Sequence, residues 1–518
     1  MPRQFNVLQI GGRDLEQQFQ HKANVTWDYF DISLFDFDSH YRQAIADVLD
    51  QNGGFDFVFV QTSFSYMLMD VLEQVSTPYN TYIDQQYWSR YFEAQAVVKE
   101  NHIRPFIYED EQALYEKLDA ITFSGQYGDK ISPKMATVNA KWMSNTTFFG
   151  NTQLIITGDF GDTFTPVLSW QNNLVYDKHK VIQIWPEFTL EDDVELRYTF
   201  RLIKSGTTDN VIEEITLLHY ELDEPLEIAA KPFDAYISVS VKARGKGVIH
   251  IGAIHKRWSR LDMGQFILGG QRYSDSQRQE FMYYFNPGDL KPPLNVYFSG
   301  YRSAEGFEGF FMMKNLKAPF LLISDPRIEG GAFYLGSEAY QNKIVEVIQQ
   351  SLIALEFEPH ELILSGLSMG SFGALYYGLQ LQPSAIIVGK PLINIGTIAQ
   401  NMALLRPEDF GTALDVLLQS EGDASQKSIN QLNETFWREI EQAHISQTTF
   451  GIAYMEHDDY DPNAYEDLLP YLTAQQARVM TRSVPGRHND DSPTITNWFV
   501  NFYQLILGTD YGRVYDHG

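Results

Sequence analysis

The stretch Gly366-Leu367-Ser368-Met369-Gly370 sets a serine between two glycines in the G-x-S-x-G spacing of a nucleophile elbow. Such a serine stands on a strained turn with no room for bulky neighbours, which is why the flanking positions are small. Its hydroxyl is a weak nucleophile at neutral pH. It needs an imidazole to take the proton and a carboxylate to hold that imidazole in one tautomer. Where the serine sits on this kind of turn, the acid and then the histidine follow it along the chain.

Of the histidines after Ser368, His488 lies in VPGRHNDDSP, behind the strand-like ARVMTRS and ahead of the amphipathic TITNWFVNFYQLIL. That is where this kind of fold presents its base. His444 comes before the acid-bearing segment and His517 lies in the last two residues, so both are weaker candidates. The acid is expected from the end of the preceding strand, where GIAYMEHDDYDP offers Glu456, Asp458, Asp459 and Asp461. Asp458 is the first choice and Asp459 the second, since a turn residue can swing back toward the imidazole; Glu456, nearest the strand, is the reserve. Acyl transfer also needs N–H donors for a tetrahedral oxyanion. Met369 supplies one, and Tyr301 or Arg302 in VYFSGYRSAEGFEG the other.

Competing chemistries fit less well. Asp459-x-Asp461-x-Asn463 imitates the start of a calcium loop, but Ala464 and Pro470 stand where that loop needs Gly and Glu. His457 beside these acids has no matching histidine pair for a metal site. Gly11-Gly12-Arg13-Asp14 follows a strand but lacks the G-x-G-x-x-G spacing, so it reads as a plain turn and no cofactor is assigned. The absence of cysteine removes thiolate chemistry and disulfides. A formal charge of -28 makes nucleic acid a poor partner.

The elements that must position these residues fall into three regions. With 44% hydrophobic and 20% charged residues in 518, the chain can bury several cores. FNVLQI, GFDFVFVQTS and IRPFIYED alternate with helical stretches such as YRQAIADVLDQ, and predict a small Rossmann-like or flavodoxin-like domain over 1–118. From 119 to 285 the period changes to two: Leu196, Tyr198, Phe200 and Leu202 alternate, as do Ala235, Ile237, Val239 and Val241. These predict a β-sandwich for binding glycan or partners, with ARGKG as a hairpin turn. The Pro- and Gly-rich NPGDLKPPLN then marks a boundary, and 286–518 reads as an α/β-hydrolase domain whose strands include LNVYFSG, FLLISD, ELILSGLS, AIIVGK, TFGIAYME and ARVMTRS. No apolar run reaches the ~18 residues of a membrane span, and the start lacks the pattern of a secretory signal.

HKRWSRLDMGQFILGGQR (255–272), GLSMGSFGALYYG, YMEHDDYDP and RHND, with the length and domain order, resemble the second accessory secretory protein of the accessory Sec system. That system exports serine-rich repeat glycoproteins in streptococci and related Gram-positive bacteria. The resemblance implies a cytoplasmic protein, or one peripheral at the membrane translocon. It would work with the two other accessory secretory proteins and the accessory Sec motor. It also implies O-acetylation of N-acetylglucosamine on the glycoprotein, and maps the family's Ser, acid and His onto Ser368, the 456–459 cluster and His488. The family acid can be Glu where Asp458 stands, and the acyl donor is left open. The alternatives are a carbohydrate esterase, in which water resolves the acyl-serine, and a non-catalytic chaperone or scaffold of the secretion complex.

Overall fold

Short apolar runs between turn residues become buried parallel strands at the start of the chain. In the computed structural model, which describes residues 3–35, 40–405 and 411–514, Phe5–Ile10, Val25–Phe30, Phe57–Val60, Thr81–Asp84 and Arg104–Phe106 form a five-stranded parallel sheet. Its order is second, first, third, fourth, fifth, that of flavodoxin-like folds. At the turn after the first strand, the Gln9 amide donates to the carbonyls of Gly11 (3.1 Å) and Arg13 (2.7 Å). The chain divides into two compact units, and this sheet lies in the first, made of Met1–Gln126, His179–Val181 and Trp258–Gly270. Buried Arg260 knits the last of these segments in, donating to the carbonyls of Phe266, Ile121, Phe123 and Gly125 at 2.8–3.1 Å.

The second unit holds the other two sheets. A nine-stranded antiparallel layer is dominated by three long strands, Gln153–Trp170, Ile182–Lys204 and Ala235–Trp258. The predicted alternation is real here: Leu196, Tyr198, Phe200 and Leu202, and likewise Ala235, Ile237, Val239 and Val241, are all buried. ARGKG is not a hairpin, however. The strand Ala235–Trp258 runs straight through it, with register breaks on either side of Gly245. A Cβ on Gly245 would lie 1.9 Å from the Asp193 carbonyl oxygen, and one on Gly247 would lie 2.1 Å from that of Glu191. These glycines permit a close crossing of strands inside a bulge, not a reversal of the chain.

The last sheet has eight strands, numbered here on their own: β1 Gln271–Ser274, β2 Glu280–Asn286, β3 Leu294–Phe298, β4 Phe320–Ser324, β5 Leu362–Leu367, β6 Ala385–Gly389, β7 Thr449–Met455 and β8 Arg478–Val484. Their order, β1-β2-β4-β3-β5-β6-β7-β8, is antiparallel at β1 and β2 and parallel thereafter, which is the α/β-hydrolase arrangement. Residues 271–285, placed with the sandwich by their sequence, therefore belong to the hydrolase sheet. NPGDLKPPLN joins two of its strands and is not a boundary between domains; a Pro- and Gly-rich loop looks the same in either role. Helices Glu338–Leu355, Met369–Leu381 and Ser492–Tyr511 flank the sheet, and β3 to β6 are buried along almost their whole length. Among the described residues, no helix is long and apolar enough to cross a membrane.

The bulge can be tested against an open glycine. Gly206 has a φ of +81° with nothing near its missing Cβ, so Gly206→Ala costs about 1 kcal/mol for the left-handed backbone alone. Gly245→Ala also forces two strands apart and costs at least about 2 kcal/mol more, read as the difference between the two variants' urea midpoints.

Candidate active site

Two close backbone contacts make the elbow. A Cβ on Gly366 would lie 2.1 Å from the Gly370 carbonyl oxygen, and one on Gly370 would lie 2.1 Å from that of Phe298 at the end of β3. Only glycine fits either position. Between them Ser368 takes φ 53° and ψ −121°, a conformation that costs a non-glycine residue about 1–3 kcal/mol. Hydrogen bonds hold it there. The Ser368 N–H donates to the Gly389 carbonyl at 2.8 Å. The Ser371 hydroxyl donates to the Ser368 carbonyl at 2.5 Å and accepts from the Leu392 N–H at 2.9 Å. The serine is thus tied to the end of β6 as well as to its own helix.

Ser368 Oγ lies 2.8 Å from His488 Nε2, and His488 Nδ1 lies 2.7 Å from Asp458 Oδ2. A carboxylate only accepts, so Nδ1 carries the proton and Nε2 is left to accept from the serine. Both side chains behind the serine are buried: His488 is 1% exposed and Asp458 7%. The second oxygen of Asp458 accepts from the backbone N–H groups of Tyr460 (2.9 Å) and Asp461 (3.3 Å), fixing the carboxylate's plane. The Tyr460 ring stacks on the imidazole with centroids 4.3 Å apart and planes 9° from parallel. Asp459, the second choice, contributes through the backbone: its Oδ1 accepts from the His488 N–H at 3.1 Å. Glu456 and His444 are exposed, and His517 lies outside the described residues.

Asp461 has a different task. Its carboxylate accepts from the N–H groups of Ile393 (2.7 Å) and Asn394 (2.8 Å) and from the Asn394 side chain, joining the acid loop to the loop after β6. Burial pushes its pKa up against these donors. Lys390, also buried, donates to Ser492 Oγ at 3.0 Å. Burial lowers its pKa, while Asp458 and then Glu308 pull it back toward the charged form. Tyr460 and Lys390 were not found from the sequence, and Asp461 was offered there only as a candidate acid. Their parts depend on stacking, on loop-to-loop bonds and on the end of a neighbouring strand, and none of these leaves a spacing pattern.

The predicted oxyanion donors sit on either side of the elbow. Met369 opens the helix Met369–Leu381, whose positive end faces the serine. The loop after β3 passes close by: a Cβ on Gly300 would lie 3.0 Å from the Leu367 carbonyl oxygen. Within that loop the Gly300 N–H donates to Glu308 Oε2 at 2.7 Å and the Arg302 N–H to the Gly330 carbonyl at 3.3 Å. Arg302 is thereby committed elsewhere, and Tyr301 lies between the two. The loop after β4 packs against both of the residues predicted as donors. A Cβ on Gly330 would lie 2.4 Å from the Tyr301 ring, and one on Gly331 would lie 2.3 Å from Met369 Cε.

This geometry equips Ser368 to attack an acyl carbon with immediate transfer of its proton to Nε2. Residues 5–513 match the family model described as "Accessory Sec system GspB-transporter". The chain is similar to the second accessory secretory protein of the accessory Sec system of Staphylococcus aureus, with 62% identity over 99% of this chain and 98% of that one. It is similar to the protein of the same name from Streptococcus gordonii at 38% identity over 99% of this chain and 100% of that one. Among solved structures it resembles a chain of the Glycosylation Associate Protein (Gap123) complex from Streptococcus agalactiae, with TM-score 0.88 and 34% identity, covering 99% of this chain and 100% of that one.

The two loop acids and the reserve separate by substitution. Asp458→Asn keeps the shape but removes the charge that holds the imidazole tautomer, and labelling of Ser368 by a fluorophosphonate slows about 10⁴-fold. Glu456→Gln leaves the rate unchanged. Asp459→Asn, whose amide oxygen can still accept from the His488 N–H, slows it by no more than about tenfold.

Proposed function

The chain belongs to the accessory Sec system GspB-transporter family, that of the second accessory secretory protein, and on that footing we propose that it is a serine-dependent O-acetyltransferase acting on N-acetylglucosamine of serine-rich repeat glycoproteins. The observation that carries this reading is the continuous hydrogen-bond chain Ser368–His488–Asp458 on a strained elbow. In the first half-reaction Ser368 Oγ attacks the carbonyl carbon of the acyl donor, and His488 Nε2 takes the hydroxyl proton. Asp458 stabilises the imidazolium that forms. The N–H groups of Met369 and Tyr301 are assigned to the tetrahedral oxyanion. Collapse expels the leaving group, which receives its proton from His488, and leaves an acetyl ester on Ser368.

In the second half a sugar hydroxyl gives its proton to His488 and attacks that ester; return of the proton to Oγ frees the acetylated sugar and regenerates the serine. The chemistry uses side chains and backbone N–H groups of this chain alone, given an acyl donor. Assembly with the two other accessory secretory proteins is the second part of the proposal. Its support is the full-length likeness to a chain of the Gap123 complex. The 285 residues ahead of the predicted hydrolase region are more than the acyl chemistry needs, and a role in export beside the motor accounts for them.

Acetate released by mild base from a co-expressed serine-rich repeat glycoprotein is the direct readout. Ser368→Ala is expected to remove it while the complex and export persist; undiminished acetylation in that variant overturns the assignment. If the purified protein strips acetate from pre-acetylated glycan and transfers none, water is the acceptor and the enzyme is an esterase.

A further inference from the structure

His255 and Arg257, at the head of the distinctive stretch 255–272, take no part in the chemistry above, yet both are wholly buried. His255 has a carboxylate on each ring nitrogen: Glu305 Oε1 at 2.5 Å from Nδ1 and Glu187 Oε1 at 2.9 Å from Nε2. An imidazole can donate to both only as imidazolium. Burial, the largest influence on this ring, favours its neutral form, but the two carboxylates outweigh it and raise its pKa. Arg257 Nε donates to Glu305 Oε2 at 2.6 Å, while its Nη1 and Nη2 clasp Glu280 on β2. Arg272 Nε on β1 donates to the same Glu280 at 2.7 Å.

Glu305 is the point at which this network meets the site. It lies on the loop after β3, four residues beyond Tyr301, and is only 3% exposed. Its side chain is held by His255 and Arg257, with Lys130 Nζ 3.5 Å away, and its N–H donates to the Gly128 carbonyl at 2.8 Å. Gly128, Lys130, His255 and Arg257 all belong to the nine-stranded sheet. Lys130 also donates to the Pro326 carbonyl, at the start of the loop that packs on Tyr301 and Met369. Within the loop, Arg302 donates to the carbonyls of Ala304 (3.3 Å) and Phe307 (3.1 Å), so a displacement at Glu305 is passed on to Tyr301.

We propose that Glu305, gripped by His255, Arg257 and Lys130, is a positioning residue that sets the Tyr301 N–H against the oxyanion, making the nine-stranded sheet a working part of the catalytic apparatus. This rests on the reading of Ser368 as an acylating nucleophile.

The test uses the full chain with 4-nitrophenyl acetate as substrate and phenylboronic acid as a tetrahedral probe of the oxyanion site. Hydrogen exchange of amides 299–309 gives a readout independent of turnover. In Glu305→Gln, kcat is expected to fall about 10²-fold with KM within about twofold. Boronate affinity falls in step, and exchange quickens across 299–309 but not across 366–371. Lys130→Met, at the partly exposed edge of the network, keeps the test open should Glu305→Gln not fold; kcat and boronate affinity drop together by about three- to tenfold. Unchanged loop exchange and boronate affinity in a folded variant overturn the positioning role. A wild-type protein with no more turnover than Ser368→Ala would instead defeat the nucleophile reading, and loop exchange would still decide whether Glu305 fixes this loop.

Discussion

Everything at the site depends on backbone packed against backbone where β5 becomes a helix. Gly370 lies against the Phe298 carbonyl and Gly366 against Gly370, so a methyl group at either place would overlap main-chain oxygen. Because Phe298 ends the strand that carries the Tyr301 loop, this one approach sets the distance between Ser368 and that loop. The strain at Ser368 is offset by the core beneath it. Phe298 stacks on Tyr377 at 5.7 Å and meets Tyr334 edge-on at 4.9 Å, pairs that add about 0.5–1.5 kcal/mol each beyond their buried area. The hydroxyls of these tyrosines are used as well: Tyr334 donates to the Ser299 carbonyl at 2.6 Å and Tyr377 to the Tyr334 carbonyl at 2.7 Å. A rigid apolar floor thus supports the strained serine beneath the hydrogen bonds that hold its backbone.

Much of this was legible in the sequence because it was local. Apolar runs between helices gave the succession of strands along the chain and a mainly parallel sheet, and the elbow declared itself through its paired glycines. His488 could be chosen by its place between the last strand and the last helix. Asp458 was harder, since four carboxylates crowd one loop. Its 2.7 Å contact with His488 Nδ1 distinguishes it, since Asp461 is buried and takes backbone N–H groups as well, and that contact arises only once the loop has folded. ARGKG misled because glycine is needed both for reversing a chain and for letting two strands cross closely. Residues 271–285 misled because an antiparallel strand looks alike whether it ends one sheet or begins another.

The buried charges show a different kind of specification. Removing Glu280, Glu305 and Arg257 from water costs several kcal/mol per ion, and their mutual attraction repays this only in good geometry. Glu305 and Glu280 are held well below the usual carboxylate range, with burial opposing and Arg257 the strongest opposite pull. A hydrophobic cluster of the same volume would pack as tightly but would tolerate sliding. Directional bonds among His255, Arg257, Glu280 and Glu305 allow one register of the two sheets.

The composition of the first unit constrains how the chain can be made. Its five-stranded sheet is complete by residue 106, yet Arg260, which caps the carbonyls of Ile121, Phe123 and Gly125, arrives more than 130 residues later. During synthesis the nascent sheet must wait on the ribosome with those carbonyls served by water while the long strands of the second unit emerge. Vectorial folding of this protein is therefore not a procession of finished domains: the first unit to begin cannot finish until much of the second has been made.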